Sequence, residues 1–94
     1  MKVETTKFDP ADYLDDSDAI AGYLRAAMLS GDAGFVADAL GVVARAKGMS
    51  KVATEAGMSR ESLYRALSPK GNPEFGTVLG VLKALGFRLE VCVG

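Results

Sequence analysis

The run Gly48-Met49-Ser50-Lys51-Val52-Ala53-Thr54-Glu55-Ala56-Gly57-Met58-Ser59-Arg60-Glu61-Ser62-Leu63-Tyr64-Arg65-Ala66-Leu67 leaves the chain few options other than two short helices joined at Gly57. Ser50 and Ser59 are each placed to cap a helix start, because a serine oxygen accepts from an otherwise unpaired amide of the first turn. Gly57 supplies the left-handed conformation that ends the first helix. Small Ala53 allows close approach, and Val52, Ala56, Leu63 and Leu67 fall on faces that share a core. The spacing predicts a helix-turn-helix over 50–67 whose second helix has a free outer face, an arrangement that points to DNA.

On that outer face Arg60 and Tyr64 are four apart, as are Glu61 and Arg65. Arginine donates two parallel bonds to guanine, glutamate accepts from cytosine, and tyrosine packs on a thymine methyl or reaches a phosphate. Ser59, Ser62, Lys47 and Lys51 suit phosphates, which fix register without reading sequence. The competing reading is structural: Glu61 and Arg65 also make an ordinary helical ion pair worth a few tenths of a kcal/mol.

Charge is segregated, although the net value is only −1. Within residues 1–34, Lys2, Lys7 and Arg25 face Glu4, Asp9, Asp12, Asp15, Asp16, Asp18 and Asp32, a balance of −4. Within residues 35–70, Arg45, Lys47, Lys51, Arg60, Arg65 and Lys70 face Asp38, Glu55 and Glu61, a balance of +3. Two surfaces of opposite sign are implied, against the simpler reading that the acidic residues cap and solubilise the first helix. So modest a positive segment predicts weak binding to random DNA, measurable affinity only for a specific site, and a pronounced loss with salt.

Elsewhere the periodicity predicts three further helices in a single 94-residue domain. Residues 1–16 form an acidic, irregular arm carrying Phe8, Tyr13 and Leu14. The first helix, capped by Ser17 or Asp18, buries Ile20, Tyr23, Leu24, Ala27 and Met28. The next runs from about Ala33 to Lys47 with Phe35, Val36, Leu40 and Val43 inward. After the turn formers Ser68-Pro69-Lys70-Gly71-Asn72-Pro73, the last spans Phe75 to Leu85, with Phe75, Val78, Leu79, Leu82 and Leu85 on one stripe. Residues 17–86 are thus the helical core. Residues 87–94 alternate like a half-buried strand, with Leu89, Val91 and Val93 on one side. A lone strand needs a partner, and antiparallel pairing with a second copy makes a homodimer that presents two recognition helices to a palindromic site. The competing partner is a sheet of another protein.

The inventory narrows the chemistry. One cysteine, Cys92, and no histidine exclude disulfide scaffolds, Cys/His zinc sites and His-based catalysis. No enzyme activity and no cofactor are expected. Asp15, Asp16 and Asp18 offer oxygen ligands, but their spacing fits no calcium loop and helix capping accounts for them. Cys92 reads as a small apolar group buried near the dimer strand. With no run of about 18 apolar residues and no export-type leader, the expected location is the cytoplasm, away from membranes.

These residues together resemble the Cro/repressor (XRE) class and, more closely, the HigA-like antitoxins of addiction modules. Phe8-Asp9-Pro10-Ala11-Asp12-Tyr13-Leu14 is similar to that family's opening, and Ala44-Arg45-Ala46-Lys47-Gly48-Met49 to its approach to the motif. Ser59 to Ser68 looks like its recognition helix, and Gly71-Asn72-Pro73 and Val81-Leu82-Lys83-Ala84-Leu85-Gly86 also match. The resemblance covers nearly the whole chain; Gly76 and Gly80 depart from it, standing where helix-favouring residues are expected. It implies a five-helix, lambda-repressor-like all-α domain. It also implies an antitoxin that binds a small, basic RelE/ParE-like toxin, in such pairs commonly a ribosome-dependent ribonuclease, and represses its own operon. On that resemblance the toxin contacts are Phe8, Asp12, Tyr13, Leu14, Asp15 and Asp16, with opposite charge steering the encounter. The alternative is a stand-alone prophage-type repressor without a toxin.

Overall fold

Helix starts and stops set by local chemistry place most of the architecture. In the computed structural model, residues 16–94 are described, and they form α1 (Ser17–Leu29), α2 (Ala33–Lys47), α3 (Met49–Ala56), α4 (Arg60–Ala66) and α5 (Phe75–Ala84). No strand occurs among the described residues. The cap of α1 is Asp16, one residue earlier than expected, whose Oδ1 accepts from the Ala19 amide at 2.7 Å. Asp32 caps α2 by accepting from the amides of Gly34 and Phe35 at 2.9 and 3.2 Å. Ser50 does not cap: α3 starts two residues sooner, with Gly48 at the cap position and no side-chain bond.

The helices close on one apolar cluster. Ile20, Leu24 and Ala27 of α1 meet Leu40 and Val43 of α2, Val52 and Ala53 of α3, Leu63 and Leu67 around α4, and Val81, Leu82 and Leu85 around α5. The inward face expected for α1 is present, with Tyr23 and Met28 half-buried against the core. Val36, Leu40 and Val43 of α2 and Val78, Leu82 and Leu85 of the α5 stripe face the core as expected, and three residues sit differently. Phe35 is 46% exposed on α2, and Phe75 and Leu79 are 67% and 42% exposed on α5, where Val81 takes the buried place. Nearly every residue of α5 is apolar, so its periodicity does not choose a face. The choice falls to α3, whose Ala56 lies 3.8 Å from where a Cβ on Gly80 would stand.

Close backbone approach explains α2. Gly34, Ala37 and Gly41 recur at three-and-four spacing, and a Cβ on Gly41 would stand 2.7 Å from the Leu67 carbonyl oxygen. One on Gly34 would stand 2.8 Å from the Pro69 carbonyl oxygen. The small-residue stripe thus lets the end of α4 and its following loop lie directly on α2. By contrast Gly22, inside exposed α1 surface, has nothing within 4 Å of its Cβ position. Gly22→Ala is therefore expected to raise stability by about 0.5–1 kcal/mol, read as a higher urea midpoint at unchanged slope.

The segment 87–94 shows neither expected feature within a single chain. Leu89, Val91 and Val93 form no strand within the chain, and Cys92, expected to be buried beside a dimer strand, is exposed in the single chain. The reason is physical: a ladder needs a second backbone, and among the described residues the last amide with a backbone partner is that of Phe87, bonded to Leu82 O at 2.8 Å. None of the described helices is long and apolar enough to cross a membrane.

Candidate nucleic-acid interface

The turn between α3 and α4 depends on one residue. Gly57 has φ 76° and ψ 30°, the left-handed conformation, and the Met58 amide reaches back to Ala53 O at 2.9 Å. This wraps the end of α3 and redirects the chain. Ser59 then caps α4, its Oγ accepting from the Ser62 amide at 3.0 Å as the sequence predicts. Leu63 is the buried residue of α4, so the opposite side of that helix faces outward.

The outward side holds the predicted residues together. Arg60, Glu61, Tyr64 and Arg65 are all exposed on α4. The Arg60 guanidinium carbon stands 5.5 Å from the centre of the Tyr64 ring, a cation–π pair that presents arginine and aromatic as one unit. Arg65 does not engage Glu61. Its Nη2 donates to the Ser62 hydroxyl at 3.4 Å, and that hydroxyl also accepts from the Ser59 Oγ at 2.9 Å. The Glu61–Arg65 helical pair is thus not made, and Glu61 keeps its acceptor capacity. Lys47, ending α2, and Lys51, in the first turn of α3, are exposed.

Two further cations, named above only in the charge balance, lie near the end of α4. Arg45 folds back along α2 so that its Nη1 is 3.3 Å from the Cβ position of Gly41, beside the Leu67 carbonyl. Lys70 is exposed in the loop after α4. The signal for Arg45 lies in its spacing of four from Gly41; only the packing of Leu67 on that glycine gives it meaning. Of the residues expected to contact a toxin, Asp16 is the helix cap described above, and Phe8, Asp12, Tyr13, Leu14 and Asp15 lie outside the described residues.

The fold and this surface define a small helical protein in which a short helix, anchored from beneath by Leu63, offers arginine, tyrosine and glutamate to a partner. Residues 4–93 match the family described as probable addiction module antidote protein, and the chain belongs to that family. An uncharacterized protein of Haemophilus influenzae (strain KW20/Rd) is 42% identical over 91 residues, covering 97% of this chain and 94% of that protein. No solved structure matches the chain.

Proposed function

We propose that the protein is the antitoxin of a type II toxin-antitoxin module. It binds a small, basic RelE/ParE-like toxin directly and represses its own operon through α3 and α4, acting as a helix-turn-helix of the Cro/repressor kind. Membership of the antidote family supports the antitoxin role. The observation that carries the DNA-binding role is the exposed Arg60-Glu61-Tyr64-Arg65 side of α4 behind a glycine turn. In this reading α4 enters the major groove, Arg60 and Arg65 read base edges, Tyr64 packs against a thymine methyl or a phosphate, and Ser59, Ser62, Lys47 and Lys51 hold the backbone. A homodimer sets two such helices on a palindromic operator in the cytoplasm. The protein acts by binding and carries out no catalysis.

The toxin is met through opposite charge. The −4 balance of residues 1–34 suits a basic partner, and Asp16 and Asp18 at the start of α1 are exposed.

The test is fluorescence anisotropy on DNA from upstream of the gene against a scrambled duplex, across a salt series, with the neighbouring gene product added. Site-preferring, salt-sensitive binding that the neighbour alters is expected. Absence of preference for that DNA removes the repressor role. Arg65→Ala is expected to cost about 1–3 kcal/mol on the specific site and to relax preference at one base position. Equal losses on specific and scrambled DNA would show that Arg65 touches only phosphate.

A further inference from the structure

The segment that follows α5 has properties of a strand waiting for its neighbour. Arg88 Nη2 and Glu90 Oε2 are 2.7 Å apart, and Arg88 Nε donates to the same oxygen at 2.9 Å. Residues two apart share a side only on an extended backbone, so this pair places Leu89, Val91 and Val93 together on the other side. Val91 is 100% exposed and Val93 equally so. Beyond Phe87 no backbone amide of the segment finds a backbone partner among the described residues. An open edge with a row of bare valines is costly unless something covers it.

We propose that Arg88 to Gly94 pairs antiparallel with the same segment of a second copy, in the register that sets Val91 on the twofold axis. This rests on the dimeric reading above and adds its interface and register. The occupant is argued from self-complementarity. A shift by one residue in the pairing sum sets the apolar side against the charged side and is rejected. Placing Glu90 on the axis opposes two like charges directly. Placing Leu89 on the axis enlists Phe87, whose amide is already bonded to Leu82 O, and leaves Val93 without a neighbour. Placing Cys92 on the axis sets Val91 opposite Val93 and gives Leu89 no counterpart within the proposed 88–94 ladder. With Val91 on the axis the two valines face each other, Leu89 faces the partner's Val93, and each Glu90 keeps its own Arg88.

Area supports the same occupant. A stable interface takes about 800 Å² from each partner, more than a short ladder supplies. The remainder lies beside it. Leu29, 81% exposed, lines one groove with Leu89 and Val93, and Phe75 lines an adjoining groove with Leu89. Burying these with the ladder makes one continuous apolar face and accounts for the exposure of Phe75.

Cysteine cross-linking in a Cys92→Ser background reads the register. In the proposed pairing the two Val91 Cα atoms are about 4.5–5.5 Å apart, within disulfide reach. The two Leu89 positions are offset by four residues, roughly 13 Å along the strand, and are out of reach. Oxidation with copper phenanthroline is expected to convert Val91→Cys to a covalent dimer on a non-reducing gel and to leave Leu89→Cys monomeric. Circular dichroism checks that each variant is folded, and light scattering on the Cys92→Ser protein gives the mass in solution. Cross-linking of Leu89→Cys instead overturns the register. A dimeric mass with neither variant cross-linked overturns the interface while the dimeric reading stands. A monomeric mass at tens of micromolar overturns both.

Discussion

Leu63→Ala is expected to lower unfolding stability by about 2–5 kcal/mol, the range for removing a fully buried leucine and leaving a cavity. Leu63 is 0% exposed and is the buried residue within α4, with Leu67 buried just past its end. A seven-residue helix does not persist by its own hydrogen bonds, so its position is owed to this packing. Stability for a domain of this kind totals about 5–15 kcal/mol, and the substitution removes a large part of it. Urea denaturation followed by circular dichroism should show a lower midpoint at an unchanged slope. The exposed side chains of α4 are untouched by this change, so if the proposed DNA-binding role holds, affinity well below the melting temperature should fall far less than stability does. A midpoint shift equivalent to under about 1 kcal/mol would mean that α4 is held by something other than its inward leucine.

Gly41→Ala is expected to destabilise by about 1–3 kcal/mol, where helix propensity alone predicts a gain of about 1. The two effects oppose each other, and distance decides between them. The added Cβ would stand 2.7 Å from the Leu67 carbonyl oxygen, a backbone atom that moves only if the end of α4 moves. Relief requires either separating α2 from the loop after α4 or tilting α4 itself. On the proposed DNA-binding role, the variant should therefore also lose specific DNA affinity beyond its loss of stability. Thermal melting beside Gly22→Ala gives the control, since the same chemical change in α1 meets nothing and should raise the midpoint. A stabilised Gly41→Ala protein would show that the approach of Leu67 is looser than these distances describe.

How far the sequence anticipates the structure differs by element. Ser59, Gly57 and Asp32 act through bonds to residues no more than a few positions away, so the signals at Gly57 and Ser59 are complete in the local sequence. The face of α1 is equally clear, because Ile20, Leu24 and Ala27 alternate with polar and small residues that leave one choice. On α5 the pattern offers overlapping stripes, and of the expected one Val78, Leu82 and Leu85 meet the core while Phe75 and Leu79 stay exposed and Val81 is buried instead. Capping errors of one residue at α1 and two at α3 have the same origin. Several candidate caps stand side by side, and small differences in backbone geometry select among them. The candidate interface was largely visible, since exposure of Glu61, Tyr64 and Arg65 follows from burial of Leu63 one or two positions away, whereas Arg60, three positions before Leu63, is exposed at the helix start for reasons the periodicity does not give. Engagement of Arg65 by Ser62 in place of Glu61 was not, because both lie within a turn of it and only rotamer geometry separates them.

What the sequence by itself determined is therefore whatever depends on near neighbours: five helices, the glycine turn, the serine cap of α4 and the outward row of arginine, tyrosine and glutamate. The tertiary structure decided which face of α5 is buried, why Gly34 and Gly41 occupy a helix interior, and that the alternating segment after α5 carries no ladder within one chain. The physical reason is range. Caps, turns and periodicity are settled by interactions a few residues long, whereas contact between α2 and the Leu67 carbonyl, or between α3 and α5, joins residues far apart in the chain whose meeting no local pattern encodes.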